Sequence, residues 1–277
     1  MINIHFSTII SVYANDRFDW FKQAICSIIN QTIPPQQIII VKDGPVSKEI
    51  NNYIMVIINS CNEIEFNIYE TKTNVGRGNT LNPALNLSKY ELVSIMDSDD
   101  IARLDRFEQQ LNYFNNNPDI DVLGGWIEEF EEKPMDIGKI RKVYSNHNDI
   151  IKSSRNYCPM NNVTVMYKKD AVLNIGGYEG GLGVQEDYIL WIKMIKKGLN
   201  FANIEEVLVD VRVGNELQSR RGGINYIIEE TKMQILFYKL QHISFSRMII
   251  NIVMRLIVRL MPQFIRKYIY LFIRIFR

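Results

Sequence analysis

The sequence predicts an α/β fold with a mostly parallel central sheet, helices on both of its faces and amphipathic helices at the C-terminus. Three observations carry that expectation. Short apolar runs alternate with segments whose apolar residues recur at helical spacing, up to about residue 100. The run Gln37-Ile38-Ile39-Ile40-Val41 is continuous and β-branched, as in a strand covered on both sides. Tyr13, Asp43, Arg77 and Asp97 fall just past candidate strand ends, where ligands collect in such sheets.

Taken in order, Ser7 to Tyr13 reads as the first strand. A helix carrying Phe18, Phe21, Ile25, Ile28 and Ile29 follows, with Asp16 as its N-cap and Pro34-Pro35 beyond its end. The second strand closes at Lys42-Asp43-Gly44-Pro45. Ser47 caps a second helix with Ile50, Ile54, Ile57 and Ile58 on its inner side. Glu65 to Glu70 is a third strand, and a short helix around Leu81 to Leu87 leads to the strand before Asp97. Leu104, Phe107, Leu111 and Phe114 mark the next helix. Asp121 to Phe130 and Asn162 to Tyr167 read as strands. Asp170 caps a short helix ending at Gly176-Gly177, Glu186 to Lys197 is amphipathic, and Val207 to Val213 is a last strand. These elements divide into 1–222, with halves 1–100 and 101–222, and a helical tail, 223–277.

The chain has 277 residues, 47% hydrophobic and 23% charged, which is ample for a sizeable core. Met1 leads straight into strand-like sequence with no basic n-region, so no signal peptide is expected. Cys26, Cys61 and Cys158 are widely spaced and read as reduced thiols, which points to the cytoplasm. The net charge of +1 hides an asymmetry: after Gln241 there are seven basic residues and no acid, leaving 25 basic against 31 acidic residues before it, a net of −6. An acidic body argues against a nucleic-acid binder, and a basic apolar tail suits an anionic surface.

Asp97-Ser98-Asp99-Asp100 follows directly on Leu92-Val93-Ser94-Ile95-Met96. A strand ending in spaced carboxylates brings hard oxygen ligands to the rim of the sheet. Mg²⁺ or Mn²⁺ held by one or two carboxylates, with phosphate and water completing the shell, is the usual way to handle a diphosphate. Aspartates also crowd loops and helix caps for purely local reasons, so the spacing alone leaves both readings open.

Five blocks in order give the chain a family likeness: Ser11-Val12-Tyr13, Ser27-Ile28-Ile29-Asn30-Gln31-Thr32, Val41-Lys42-Asp43-Gly44-Pro45, Asn74-Val75-Gly76 and Met96-Asp97-Ser98-Asp99-Asp100. A sixth is Gly176-Gly177-Tyr178 followed by Glu186-Asp187. Over about residues 5 to 215 the chain resembles family 2 glycosyltransferases of the GT-A fold, a Rossmann-like α/β architecture, and within them the bacterial branch that builds O-antigen, capsule and exopolysaccharide.

The resemblance implies roles. Ser11, Tyr13 and Asp43 would hold the nucleoside, and Asn74 would shape the loop over it. Arg77 would reach a phosphate or ribose, with a solvated surface charge as the other reading. Asp97 and Ser98 would contact the nucleotide-sugar, and Asp97 and Asp99 the metal. Asp187 would be the general base, although the first turn of a helix also favours an acid for plain structural reasons. Many relatives carry a His after the last core strand; here Val211-Arg212-Val213-Gly214 has none, and Arg220-Arg221 could hold phosphate instead. The glycines from Gly176 to Gly183 suit a mobile lid on the acceptor side. Implied partners are a nucleoside diphosphate-sugar, UDP-sugars first, and a polyprenyl-diphosphate-linked glycan.

Residues 243–277 contain no uncharged stretch near the roughly 20 residues that a bilayer span needs. On a helical wheel Arg247, Arg255 and Arg259 fall at roughly 0°, 80° and 120°. Beyond Pro262, Arg266, Lys267, Arg274 and Arg277 cluster likewise. One basic face beside a broad apolar face is the pattern of helices lying in an anionic membrane interface, here the inner face of the cell membrane. A helical pair packed on the domain or on a second copy has the same composition. Two rival functions are a sugar-phosphate nucleotidyltransferase, for which Val12-Tyr13-Ala14-Asn15-Asp16 lacks the Gly-rich basic loop, and a carbohydrate-binding relative with a decayed site.

Overall fold

The computed structural model describes residues 4–181, 185–213 and 224–260, the side chains of 224, 225 and 260 excepted. Its centre is a sheet of nine strands: β1 (Phe6–Tyr13), β2 (Gln37–Asp43), β3 (Glu65–Glu70), β4 (Leu92–Asp97), β5 (Ile101–Ala102), β6 (Val122–Phe130), β7 (Lys139–Arg141), β8 (Met166–Lys168) and β9 (Phe201–Arg212). The spatial order is β3-β2-β1-β4-β8-β6-β9-β5, with β7 beside β6. From β3 to β4 every pairing is parallel, as the alternation of strands and helices requires. Beyond β4 the sheet is mixed: β8 runs antiparallel to both β4 and β6, while β6 and β9 are parallel.

The helices are α1 (Phe18–Ile29), α2 (Lys48–Ser60), α3 (Arg77–Leu87), α4 (Arg106–Asn116), α5 (His147–Ser153), α6 (Lys169–Leu173), α7 (Glu186–Lys196), α8 (Ile224–Lys239) and α9 (Phe245–Leu260). Alternate side chains of β1 and β2 feed two cores. Ile10, Ile38 and Ile40 pack with Phe21 and Ile25 of α1, Ile50 and Ile54 of α2, and Phe107 and Leu111 of α4. Ile9, Ile39 and Val41 belong to the other core, with Leu81 of α3, Ile189 and Trp191 of α7, and Met233 and Phe237 of α8. Burial on both faces is why β2 is apolar from Ile38 to Val41.

One of the three expected helix caps forms. Ser47 caps α2, its hydroxyl accepting from Ile50 N at 3.2 Å. Asp16 does not cap α1, which starts at Phe18 after Arg17; its Oδ2 instead accepts from Tyr13 N (3.0 Å) and from the Ser98 hydroxyl (2.6 Å), tying the end of β1 to the corner after β4. Asp170 lies inside the first turn of α6, whose N-cap Lys168 makes no side-chain cap. Leu104 precedes α4 and is exposed; the first residue of that helix, Arg106, is fully buried in its place. Helix α3 begins four residues before the expected Leu81, because Gly76 adopts φ 87° and turns the chain directly into it.

The tail differs most from expectation. Arg255 and Arg259 do not form an outward basic face. They point inward to the buried carboxylate of Glu230 on α8, at 3.2 and 3.0 Å, and Arg259 lies over the Tyr226 ring. Phe245, Ile249, Ile250, Val253, Met254 and Ile257 occupy the exposed side instead. A buried acid on α8 and two guanidinium groups on α9 satisfy one another, which turns the apolar face outward. Among the described residues no helix is long and apolar enough to cross a membrane. Pro262, Arg266, Lys267, Arg274 and Arg277 lie outside the described residues.

Candidate active site

Strand order reverses beside β1, which has β2 on one side and β4 on the other, so a crevice opens at the carboxyl ends of these strands. Register brings the expected residues together there: Tyr13 pairs with Asp43, and Ser11 with both Val41 and Asp97. Asp43 serves as a turn anchor. Its Oδ1 accepts from Val75 N at 2.7 Å and its Oδ2 from Gly76 N at 3.0 Å, so the loop carrying Asn74 is folded onto it. Asn74 Nδ2 reaches Asp43 O at 3.5 Å. Gly44 (φ 84°) must be glycine, since a Cβ there would meet Asn74 N at 2.8 Å.

Arg77, the first residue of α3, is no solvated charge. Its Nη2 lies 2.5 Å from Asp97 Oδ1, and its Nε is buried without a hydrogen-bond partner. Burial opposes its charge, but Asp97, Glu186, Tyr178 and Asp187 outweigh that and hold the guanidinium above its usual pKa. Burial and the charges of Asp97 and Asp16 push Asp99 up to about 6. Asp100 is raised by burial and by Asp99, while its Oδ1 accepts from Arg212 N at 2.8 Å. Ser98 spends its hydroxyl on Asp16.

Across the crevice, Glu186 and Asp187 open α7. Burial followed by the Asp187 charge lifts Glu186 to about 7, and its Oε2 is buried with no hydrogen-bond partner. Burial also raises Asp187, against the opposing pull of Tyr188 N (2.7 Å) and the charges of Arg77 and Arg141. The helix start that would lower its basicity is thus offset by desolvation. The strap before α7 is fastened to α3: Asn82 Nδ2 donates to Tyr178 O (2.8 Å) and its Oδ1 accepts from Tyr178 N (2.7 Å). Glycines make that approach possible, because a Cβ on Gly180 would stand 1.8 Å from Asn79 Oδ1. Leu182, Gly183 and Val184, and the expected phosphate ligands Arg220 and Arg221, lie outside the described residues.

Two basic residues escaped the sequence reading. Arg106 is wholly buried beneath the Asp97–Asp100 corner, its Nη2 donating to Ile95 O (3.0 Å); burial lowers it to about 9 against the pull of Asp97 and Asp100. Arg212, at the end of β9, lies over the rings of Phe130 and Trp20, and its Nε donates to Asp99 O (3.2 Å). The only signal for Arg212 was its place after the last core strand, and nothing in the spacing marked Arg106.

Among the described residues no three His, Cys, Asp or Glu side chains are grouped as a ready metal cage. The donor set nonetheless fits Mg²⁺ or Mn²⁺ with substrate oxygens completing the shell. Burial first, and then the charges of Asp97 and Asp16, raise Asp99, and a cation would relieve the crowding of these carboxylates.

The family model described as glycosyl transferase family 2 matches residues 7–173. A UDP-Gal:alpha-D-GlcNAc-diphosphoundecaprenol beta-1,3-galactosyltransferase of Escherichia coli is 42% identical over 265 residues, covering 96% of this chain and 94% of that protein. The amylovoran biosynthesis glycosyltransferase AmsE of Erwinia amylovora is 31% identical, over 96% and 97%. Among solved structures, a mannosyltransferase of Pyrobaculum calidifontis in complex with GDP-Man and Mn²⁺ superposes with a TM-score of 0.65 at 13% identity, over 91% of this chain and 74% of that one.

Proposed function

Because the chain belongs to glycosyl transferase family 2 and is a glycosyltransferase, we propose that it moves a sugar, with inversion, from a UDP-sugar to a polyprenyl-diphosphate-linked acceptor in surface polysaccharide assembly. The observation that carries this reading is the meeting of Tyr13, Asp43, Arg77, Asp97 and Asp99 at one crevice, opposite Glu186 and Asp187. The 42% identical relative, named for UDP-Gal and an undecaprenol-linked acceptor, supports the substrate classes. It also supports inversion, since a β product from an α-linked nucleotide sugar requires it.

In this reading Tyr13 and Asp43 border the nucleoside, with Ser11, Ser98 and Asn74 shaping the crevice. Asp97 and Asp99 would hold a divalent cation, which would supply Lewis-acid neutralisation of charge on the diphosphate. Arg77 exchanges its pairing with Asp97 for a phosphate oxygen as the donor enters. Asp187 takes the proton of the acceptor hydroxyl while that oxygen bonds to the anomeric carbon. The bond from this carbon to the diphosphate breaks, and UDP leaves with the electron pair. Released UDP, measured across UDP- and GDP-sugars with a GlcNAc-diphospho-lipid acceptor, tests the proposal. UDP-galactose should turn over fastest, and no release from any nucleotide sugar would overturn the reading.

The domain comprises residues 1–222 with a nucleotide half and an acceptor half, and the tail docks it on the inner face of the membrane. Support for docking is the outward apolar side of α9, flanked by exposed Arg247. Since Arg255 and Arg259 are committed to Glu230, apolar burial dominates what α9 contributes to the attachment. Replacing Ile250, Val253 and Ile257 by Glu is expected to lower partitioning onto phosphatidylglycerol-containing vesicles at least tenfold, with UDP affinity kept. Unchanged partitioning would make α9 a packing element only.

A further inference from the structure

A cavity of about 190 Å³ in the second half of the fold is lined by Trp126, Lys142, Tyr144, Tyr157, Pro159 and Glu205, among others. No role already assigned uses it. Two of the segments that line it also carry residues acting on the candidate base. Lys142 follows Arg141, whose charge bears on Asp187. Tyr157 and Pro159 flank Cys158, whose Sγ lies 3.9 Å from Asp187 Oδ2. The same segment backs onto α9, where Asn251 Nδ2 donates to Arg155 O (2.9 Å) and Arg255 Nη2 to Asn156 O (3.0 Å). The segment that lines the cavity at Tyr157 and Pro159 thus touches both the candidate base and the helix with the outward apolar face.

Its chemistry is mixed in a specific way. The Trp126 ring is fixed by its Nε1 donating to Val143 O at 3.1 Å, and the Lys142 ammonium sits 4.5 Å over that ring. Among the described residues Lys142 has no carboxylate partner. Glu205 is held at the rim by the Ser145 hydroxyl at 2.6 Å, with acceptor capacity left on its carboxylate. Aromatic side chains offer flat apolar faces with polar tips, a free ammonium suits a phosphate, and a carboxylate suits sugar hydroxyls. The volume is below the roughly 300–1,000 Å³ of pockets that enclose drug-sized ligands, so it suits a single ring rather than a long glycan.

We propose that this cavity seats the head of the lipid-linked acceptor, its sugar against the aromatic walls and its diphosphate beside Lys142. The proposal rests on the reading of the chain as a transferase to such an acceptor. The test uses the full chain without donor, titrated by calorimetry with N-acetylglucosaminyl diphosphate on a short alkyl chain, and separately with UDP. Lys142→Ala and Tyr144→Ala alter exposed side chains. Each is expected to weaken the acceptor probe at least tenfold while UDP affinity stays within about twofold. An alkyl diphosphate lacking the sugar should respond to Lys142→Ala and not to Tyr144→Ala. If both variants bind the acceptor probe like the unaltered chain, or if that chain binds UDP and not the probe, the cavity is not the acceptor seat and the transferase reading stands. If the unaltered chain binds neither, both readings fall.

Discussion

Asp187→Asn is expected to lower the rate of sugar transfer by roughly two orders of magnitude or more, the scale of lost general-base catalysis, while UDP affinity changes by less than about twofold. Asn keeps the shape and can still accept from Tyr188 N, but it cannot take a proton. Stability should move the other way. Burial raises the Asp187 pKa, so its ionised form is disfavoured in the fold, and a neutral isostere removes that penalty. A variant with lower kcat and a melting temperature equal to or above that of the unaltered chain identifies a catalytic group. A variant that loses UDP binding and melts early identifies a structural helix start. Glu186, lifted to about 7 with an unpartnered buried oxygen, is the control: Glu186→Gln should cost much less if Asp187 is the base.

Asp99→Asn should reduce turnover to near background and abolish the gain in UDP affinity that Mg²⁺ or Mn²⁺ confers. The carboxylate is needed as a hard anionic ligand, and an amide oxygen is a far weaker one. The sign of the stability change again separates the readings. Asp99 is raised to about 6 by burial and by Asp97 and Asp16. Its folded pKa exceeds the unfolded value, so without metal the contribution of this group to stability is greatest below the unfolded pKa and is lost as pH rises through about 6. At pH 8 and without metal, Asp99→Asn should therefore melt no earlier than the unaltered chain. Retained turnover, or full activity of the unaltered chain in excess chelator, would remove the metal from the mechanism.

How far the molecule could be read from its sequence depended on whether local chemistry or distant packing fixed each feature. The strand-helix alternation, the Ser47 cap and the carboxylates after β4 follow from neighbours in sequence, and all lie where expected. Asp16 failed as a cap because its stronger partner, Ser98, is 82 residues away. The early start of α3 was hidden by Gly76, Gly78 and Pro83, residues that ordinarily argue against a helix. Arg106 lies at the bottom of a core, a position no periodicity assigns to a cation. For Arg255 and Arg259, helical phase gives the relative angles of side chains and not which face meets the protein. That choice was made by Glu230, on another helix.

The bonds from Asn251 and Arg255 to the backbone at Arg155 and Asn156, and the approach of Cys158 to Asp187, form a path from α9 to the candidate base through one short segment. On the proposed orientation this path is a ruler. If α9 lies in the plane of the bilayer, the carboxylate stands at one fixed height above the lipid. A hydroxyl meets it only when the acceptor reaches that height, so the enzyme would select a glycan by its length from the lipid as well as by the identity of its terminal sugar.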